Sequence, residues 1–151
     1  MESRLQYNLI APDALHGLSE IEKYLRHSSI EPALHELIKM RTSQINGCAF
    51  CIDMHSQDAR RAGETEQRLY ALSAWRETPF FTDRERAALE WTEAMTLISQ
   101  SHMPDSIYEN ARKYFSEKEL IDLSMAVIAI NSWNRLAISF RKVPGTYRPK
   151  P

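Results

Sequence analysis

The chain holds two cysteines, and they stand close together in Cys48-Ala49-Phe50-Cys51. One helical turn separates a Cys-x-x-Cys pair, so the two sulfurs can meet with little backbone rearrangement and reversible disulfide chemistry is available. Asn46-Gly47, just before the pair, supplies the residues that usually stop a helix. The cysteines therefore fall on the first turn of the next helix, where unpaired N–H groups and the partial positive charge of the helix end favour a thiolate. Lowering a thiol pKa from about 8.5 to about 6.5 would raise the thiolate fraction at pH 7 from roughly 3% to roughly 75%. His55 follows Cys51 by one further turn and shares its face, placed to take a proton or to stabilise a thiolate. Glu36 lies on the preceding helix, and a helical hairpin through Asn46-Gly47 would fold its carboxylate back toward the cysteines, to orient His55 or accept protons through water.

Competing chemistries fit this pattern less well. A structural disulfide closing so short a loop restricts little unfolded-chain entropy. Zinc could take Cys48, Cys51 and His55 with Glu36 or His35 as a fourth ligand, although zinc sites usually place their second half farther along the chain. Covalent haem attachment requires histidine directly after the second cysteine, and Ile52 stands there. A thioredoxin would surround the pair with a βαβ pattern, which is missing.

The elements that must position these residues read as helices. Only four glycines occur, and apolar residues recur at steps of three and four without strand-like alternation. The spacing predicts helices over about 13–27, 32–46, 48–61, 66–75, 83–100, 105–115 and 116–140, following a tail that ends near Pro12. Pro32 suits a first helical turn, and Thr82-x-x-Glu85 and Ser116-x-x-Glu119 have the form of capping boxes. The last segment, Leu120 to Phe140, should be the most buried, with Trp133 as packing or as a wall of the site. The expectation is an all-α, single-domain bundle of six to seven helices spanning residues 1–151.

Nineteen Lys+Arg against twenty Asp+Glu leave a formal charge of −1, so no global cationic field exists to hold nucleic acid or an anionic membrane. The longest apolar run, Met125 to Ile130, is far shorter than the 18 or so residues of a spanning helix. With no basic region leading into an apolar stretch near the start, the expected location is cytoplasmic.

Glu36, eleven intervening residues, Cys48-x-x-Cys51, three more and His55 together resemble the alkylhydroperoxidase D-like branch of the carboxymuconolactone decarboxylase superfamily. The run Ile45 to His55 carries the resemblance most strongly, and it extends through Asp58 to Gly63 and less specifically to Asn131-Ser132-Trp133-Asn134-Arg135. The resemblance implies an all-helical subunit, assembled as a homotrimer or hexamer, that reduces organic hydroperoxides without metal, haem or flavin. Cys51 would match the peroxide-attacking cysteine, Cys48 the resolving one, and His55 and Glu36 the proton relay. The reductant would be a dithiol donor such as a lipoyl or thioredoxin-like protein. Phe50 departs from members that carry a second histidine at that position, which implies a shorter relay or a different substrate. The rival expectations are a disulfide reductase without peroxidase activity, and a zinc-binding or redox-sensing interaction protein. A lactone decarboxylase would leave the cysteines unexplained.

Overall fold

The computed structural model describes residues 2–149. Among them the chain is helical throughout: α1 (Tyr7–Ile10), α2 (His16–Leu25), α3 (Pro32–Asn46), α4 (Ala49–Arg61), α5 (Glu66–Ala71), α6 (Asp83–Thr96), α7 (Ile98–Ser101), α8 (Asp105–Arg112) and α9 (Glu117–Ser139), with 3₁₀ turns at Pro12–Leu15 and Leu72–Glu77. The seven expected helices are α2 to α6, α8 and α9; α1 and α7 are single turns in addition. No helix among the described residues is long and apolar enough to cross a membrane.

Local chemistry sets most of these boundaries. Both capping boxes form: Thr82 accepts from the Glu85 N–H and Ser116 from the Glu119 N–H, while each glutamate reaches back to its cap. The helix expected to run to about residue 100 breaks at Leu97, whose φ of −102° and ψ of 36° leave the helical region. Ser101 Oγ then donates to the carbonyl of Ala94 across the break. The segment before Pro12 is no loose tail, because the Arg4 N–H donates to the Phe140 carbonyl and the Tyr7 ring packs on Phe140.

α3 is the axis of the bundle, packing against α4, α6 and α9. Its apolar face divides the core. Leu34 and Ile38 join Trp91, Phe115, Leu123 and Val127 on one side. Leu37 and Met40 join Leu72, Trp75, Phe81 and Leu89 on the other. A helix covered on so many sides also buries polar groups, and Thr42 and Ser43 are fully buried near its C-terminal end.

A polar clamp holds that end. Asn46 Nδ2 donates to Asn131 Oδ1 at 3.0 Å and to Asn134 Oδ1 at 2.9 Å, and Asn134 Nδ2 donates to Ser43 Oγ at 3.1 Å. Asn134 is completely buried. Truncating it strands buried donors and acceptors on α3, the costly way to lose a hydrogen bond. Urea unfolding of Asn134→Ala, with the cysteines held in one redox state, should show a loss of about 2 kcal/mol; an unchanged midpoint would show that the clamp does not hold α3 to α9.

Candidate active site

The site begins at the turn between α3 and α4. Gly47 closes α3 with φ of +70°, a left-handed conformation that glycine adopts without a Cβ penalty. The Cys48 N–H donates to the Ser43 carbonyl and the Gly47 N–H to that of Gln44, the bond pair of a Schellman turn. The chain leaves this turn with Cys48 in extended geometry as the N-cap of α4, so Cys51 falls in the first turn of that helix. The two are joined as a disulfide, with their Cα atoms 5.3 Å apart. The pair packs with Phe50, Met54 and Ala137 of α9. Cys48 and Cys51 retain only 1% and 2% of their surface exposed, so any reactant reaches the sulfurs through openings rather than over a surface.

All four residues singled out from the sequence belong to one constellation. His55, buried on α4, places Nδ1 3.0 Å from Glu36 Oε2 on α3. With Nδ1–H donating to that carboxylate, the Nε2 lone pair is the free basic position of the ring. The other Glu36 oxygen accepts from Lys39 Nζ at 3.1 Å, a residue one turn along α3. Burial works to raise the Glu36 pKa, but the hydrogen bond from His55 and the ammonium of Lys39 outweigh it and hold the carboxyl below its ordinary range.

The two sulfurs face different openings. Cys51 and His55 lie in a cavity of about 190 Å³ walled mainly by Phe50, Met54, Ile130, Trp133 and Ala137, with Tyr7, Glu22 and Lys142 completing the lining. Trp133 is kept in that wall by its Nε1–H, which donates to Glu22 Oε1 at 3.1 Å. Cys48 lies in a second cavity of about 230 Å³, with Gly47, Ala49, Arg141, Lys142 and Pro144. Phe50, the residue between the cysteines, borders both, as do Ala137 and Lys142.

Several participants had no signal in the sequence. Lys39 was not distinguishable from any other helical lysine. Asp58, one turn beyond His55, accepts from the Tyr147 hydroxyl at 2.7 Å. Burial, and then Asp58 as a neighbouring acceptor, push the Tyr147 pKa up to about 12. Asp53 accepts from the Gly145 N–H at 2.8 Å, so the segment after α9 is tied along α4 at two points. Ligating atoms of Glu36, His55 and Asp58 lie within 4.8 Å of one another, the group among the described residues that could hold a metal ion. It includes neither cysteine nor His35, whose Nε2 instead sits 3.5 Å from Ser28 Oγ. Arg135 is exposed and donates to the backbone and side-chain oxygens of Asn131, outside the cavity wall.

An all-helical chain with a helix-terminal Cys-x-x-Cys disulfide beside a histidine–carboxylate pair defines an AhpD-like protein. The carboxymuconolactone decarboxylase family matches residues 12–94, and the chain belongs to that family. It is 48% identical over 139 residues to the uncharacterized protein YdfG of Bacillus subtilis, a match covering 92% of this chain and 95% of that one. Its structure is similar to that of a protein of unknown function from Agrobacterium tumefaciens, described as a candidate antioxidant defence protein AhpD, at TM-score 0.93 and 40% identity over 97% of this chain and 100% of that one. The fold is also similar to the AhpD core of an uncharacterized peroxidase-related protein from Ralstonia eutropha, at TM-score 0.80 and 18% identity over 92% and 74% of the two chains.

The lowered pKa of Glu36 has a consequence for stability. A carboxyl depressed on folding stabilises the protein fully above its ordinary value of 4.5 and ceases to do so as the pH falls through that value and then through the folded one. In denaturation measured from about pH 7 down to about pH 3, the wild type should lose stability more steeply below pH 4.5 than Glu36→Gln does. Parallel curves would contradict the hydrogen bonding assigned to this carboxylate.

Proposed function

We propose that the protein is a thiol-dependent peroxidase that reduces organic hydroperoxides through a Cys48/Cys51 dithiol–disulfide cycle, with His55 and Glu36 as its proton relay. One observation carries the reading: Cys51 shares a largely apolar cavity with a histidine that a half-buried carboxylate orients, while a second cysteine is already within bonding reach behind it. The antioxidant and peroxidase-related descriptions of AhpD-like structures support the same direction.

The cycle starts from the dithiol. His55 Nε2 takes the proton of Cys51, and Glu36 stabilises the resulting imidazolium through Nδ1–H, as the carboxylate of a catalytic triad does. The first-turn N–H groups of α4 favour the thiolate. Cys51 attacks the distal oxygen of the hydroperoxide, the O–O bond breaks, and the departing alkoxide takes a proton from His55 to leave as alcohol. Cys51 is then a sulfenic acid. The Cys48 sulfur attacks it, water leaves, and the disulfide forms. Overall, one hydroperoxide and two thiols give one alcohol, one water and one disulfide. A dithiol donor returns two electrons and two protons to start again.

The apolar wall of the cavity suits a hydroperoxide with a hydrocarbon body, and Phe50 extends that wall where a polar residue would shorten it. Exposed Ile121, Ile128 and Ile138 along α9 support assembly of the subunit into trimers or hexamers. Both core clusters share α3 and α6, which supports residues 1–151 acting as one domain.

Consumption of cumene hydroperoxide by the reduced protein, with dithiol in excess, tests the reading. Cys51→Ser should abolish turnover, and His55→Ala should lower it by about 10²–10⁴-fold. Glu36→Gln should give a smaller loss, with the apparent Cys51 pKa displaced upward. Wild-type protein no faster than a small free thiol would overturn the peroxidase reading, and an unaltered rate and thiol pKa in Glu36→Gln would remove Glu36 from the relay.

A further inference from the structure

The cavity over Cys48 is lined by two cations and no carboxylate, whereas Glu22 accompanies Lys142 in the lining of the Cys51 cavity. The two cations are Arg141 and Lys142, and neither forms an ion pair among the described residues. Lys142 Nζ lies 4.1 Å from the centroid of the Phe50 ring, at the border between the two cavities. Arg148 is folded back onto the carbonyls of Gly145 and Tyr147, next to Pro144 of the lining. Arg4 donates to the Ser139 carbonyl at the end of α9, adjacent to Ile138 of the lining. Neither Arg4 nor Arg148 has a carboxylate partner among the described residues. Elsewhere the cations are mostly spent on carboxylates, as with Arg41 and Arg76 on Glu93, Arg68 on Glu64 and Glu85, and Arg84 on Glu31 and Glu119.

A chain with a formal charge of −1 therefore places two cations without a carboxylate partner among the described residues, Arg141 and Lys142, in the lining of the Cys48 cavity, with Arg4 and Arg148 on the segments that flank it. The carboxylates that contact the segment after α9 accept from uncharged donors, Asp53 from the Gly145 N–H and Asp58 from the Tyr147 hydroxyl. The carbonyl end of α9 accounts for Arg4, but the side chains of Arg141 and Lys142 make no hydrogen bond among the described residues that would fix them there. A cationic rim with no internal partner raises the local concentration of anions and accelerates their encounter, by 10-fold to 10³-fold in steered associations.

Resting on the dithiol cycle proposed above, we infer that this rim is the docking face for the reductant, that the reductant is a protein presenting a dithiol amid acidic residues, and that its thiolate attacks Cys48 rather than Cys51. Because Cys48 is only 1% exposed, the attacking thiol must enter the cavity of about 230 Å³ on a projecting arm. The incoming thiolate is itself an anion and is drawn by the same cations. Its sulfur bonds to Cys48, the Cys48–Cys51 bond breaks, and the electron pair leaves on Cys51. His55, in the opposite cavity with Cys51, hands that thiolate a proton, drawn in turn from water. The partner's second thiol then attacks its own bridged sulfur and releases Cys48, so the partner ends as a disulfide and this protein as the dithiol. Substrate and reductant thus use separate doors to one disulfide.

Three synthetic peptides of equal length, each with one Cys-x-x-Cys and flanked by glutamates, glutamines or lysines, provide the test, with the disulfide form of the full chain as oxidant. At low salt the glutamate peptide should reduce the disulfide at least about 10-fold faster than the glutamine peptide, and the lysine peptide slower still, with the three rates converging near 1 M salt. The double variant Arg141→Glu/Arg148→Glu should reverse that order, while its reduction by dithiothreitol, whose attacking thiolate carries a single charge, should fall by far less than that by the glutamate peptide. A single-cysteine version of the glutamate peptide should be trapped as a mixed disulfide on Cys48. Equal rates for the three peptides, an order that survives the double variant, or trapping on Cys51 would each overturn the inference. A variant that merely loses helicity would show these cations serving the end of α9, and it too would overturn it. The assay contains no peroxide, so a charge-ordered reduction with no hydroperoxide turnover would sink the peroxidase reading and leave the docking face standing.

Discussion

The site depends on how α3 ends. Cys48 can cap α4 only because Gly47 turns the chain in a left-handed conformation, and that turn is held by the Schellman bonds and by Asn46, clamped to α9 through Asn131 and Asn134. From this corner α3 and α4 run back against each other. Their pairing brings Glu36, ten residues before the turn, beside His55, eight residues after it. The histidine–carboxylate bond, the first-turn position of Cys51 and the cap position of Cys48 are thus consequences of one hairpin. The same buried amides explain why a polar set sits in the most apolar helix of the chain.

Two forces set the character of the site once the hairpin is in place. Burial removes water from the cysteines and from His55, which makes each nearby charge count for more. The fixed partners then decide which charges are tolerated. Glu36 stays ionised because His55 and Lys39 both donate to it. Phe50 separates a largely apolar opening on the Cys51 side from one lined by Arg141 on the Cys48 side, with Lys142 bordering both. That division suits a cycle in which an uncharged, hydrocarbon-rich oxidant and an anionic reductant must reach the same sulfur pair in turn.

Much of this was legible in the residues. Proline at the start of α3, Asn46-Gly47 at its end and the two capping boxes name the helix boundaries, and each is a short-range signal that tertiary packing reinforced. Glu36, Cys48, Cys51 and His55 could be grouped because the hairpin that joins them is itself written in Asn46-Gly47. The break at Leu97 and the turn at Tyr7–Ile10 were not legible, since neither carries proline, glycine or a cap, and the latter packs on Phe140 from the far end of the chain. The same holds for Lys39, Asp58 and Tyr147. Their roles arise from what lies opposite them across helices, and Tyr147 reaches Asp58 from a segment without regular structure. The unpaired state of Arg141 and Lys142 is likewise a tertiary fact: composition shows near-neutrality, while the structure shows where the balance fails locally.

In the proposed cycle a hydroperoxide oxidises Cys51, and Cys48 then closes the disulfide. Intact mass and free-thiol titration of the fully reduced protein, before and after one equivalent of cumene hydroperoxide, test it directly when run beside Cys48→Ser and Cys51→Ser. The account predicts rapid loss of both thiols with a mass decrease of about 2 Da in the wild type, and a sulfenic acid, about 16 Da heavier, trapped in Cys48→Ser alone. Thiols that outlast the peroxide, or a sulfenic acid that forms in Cys51→Ser instead, would contradict it.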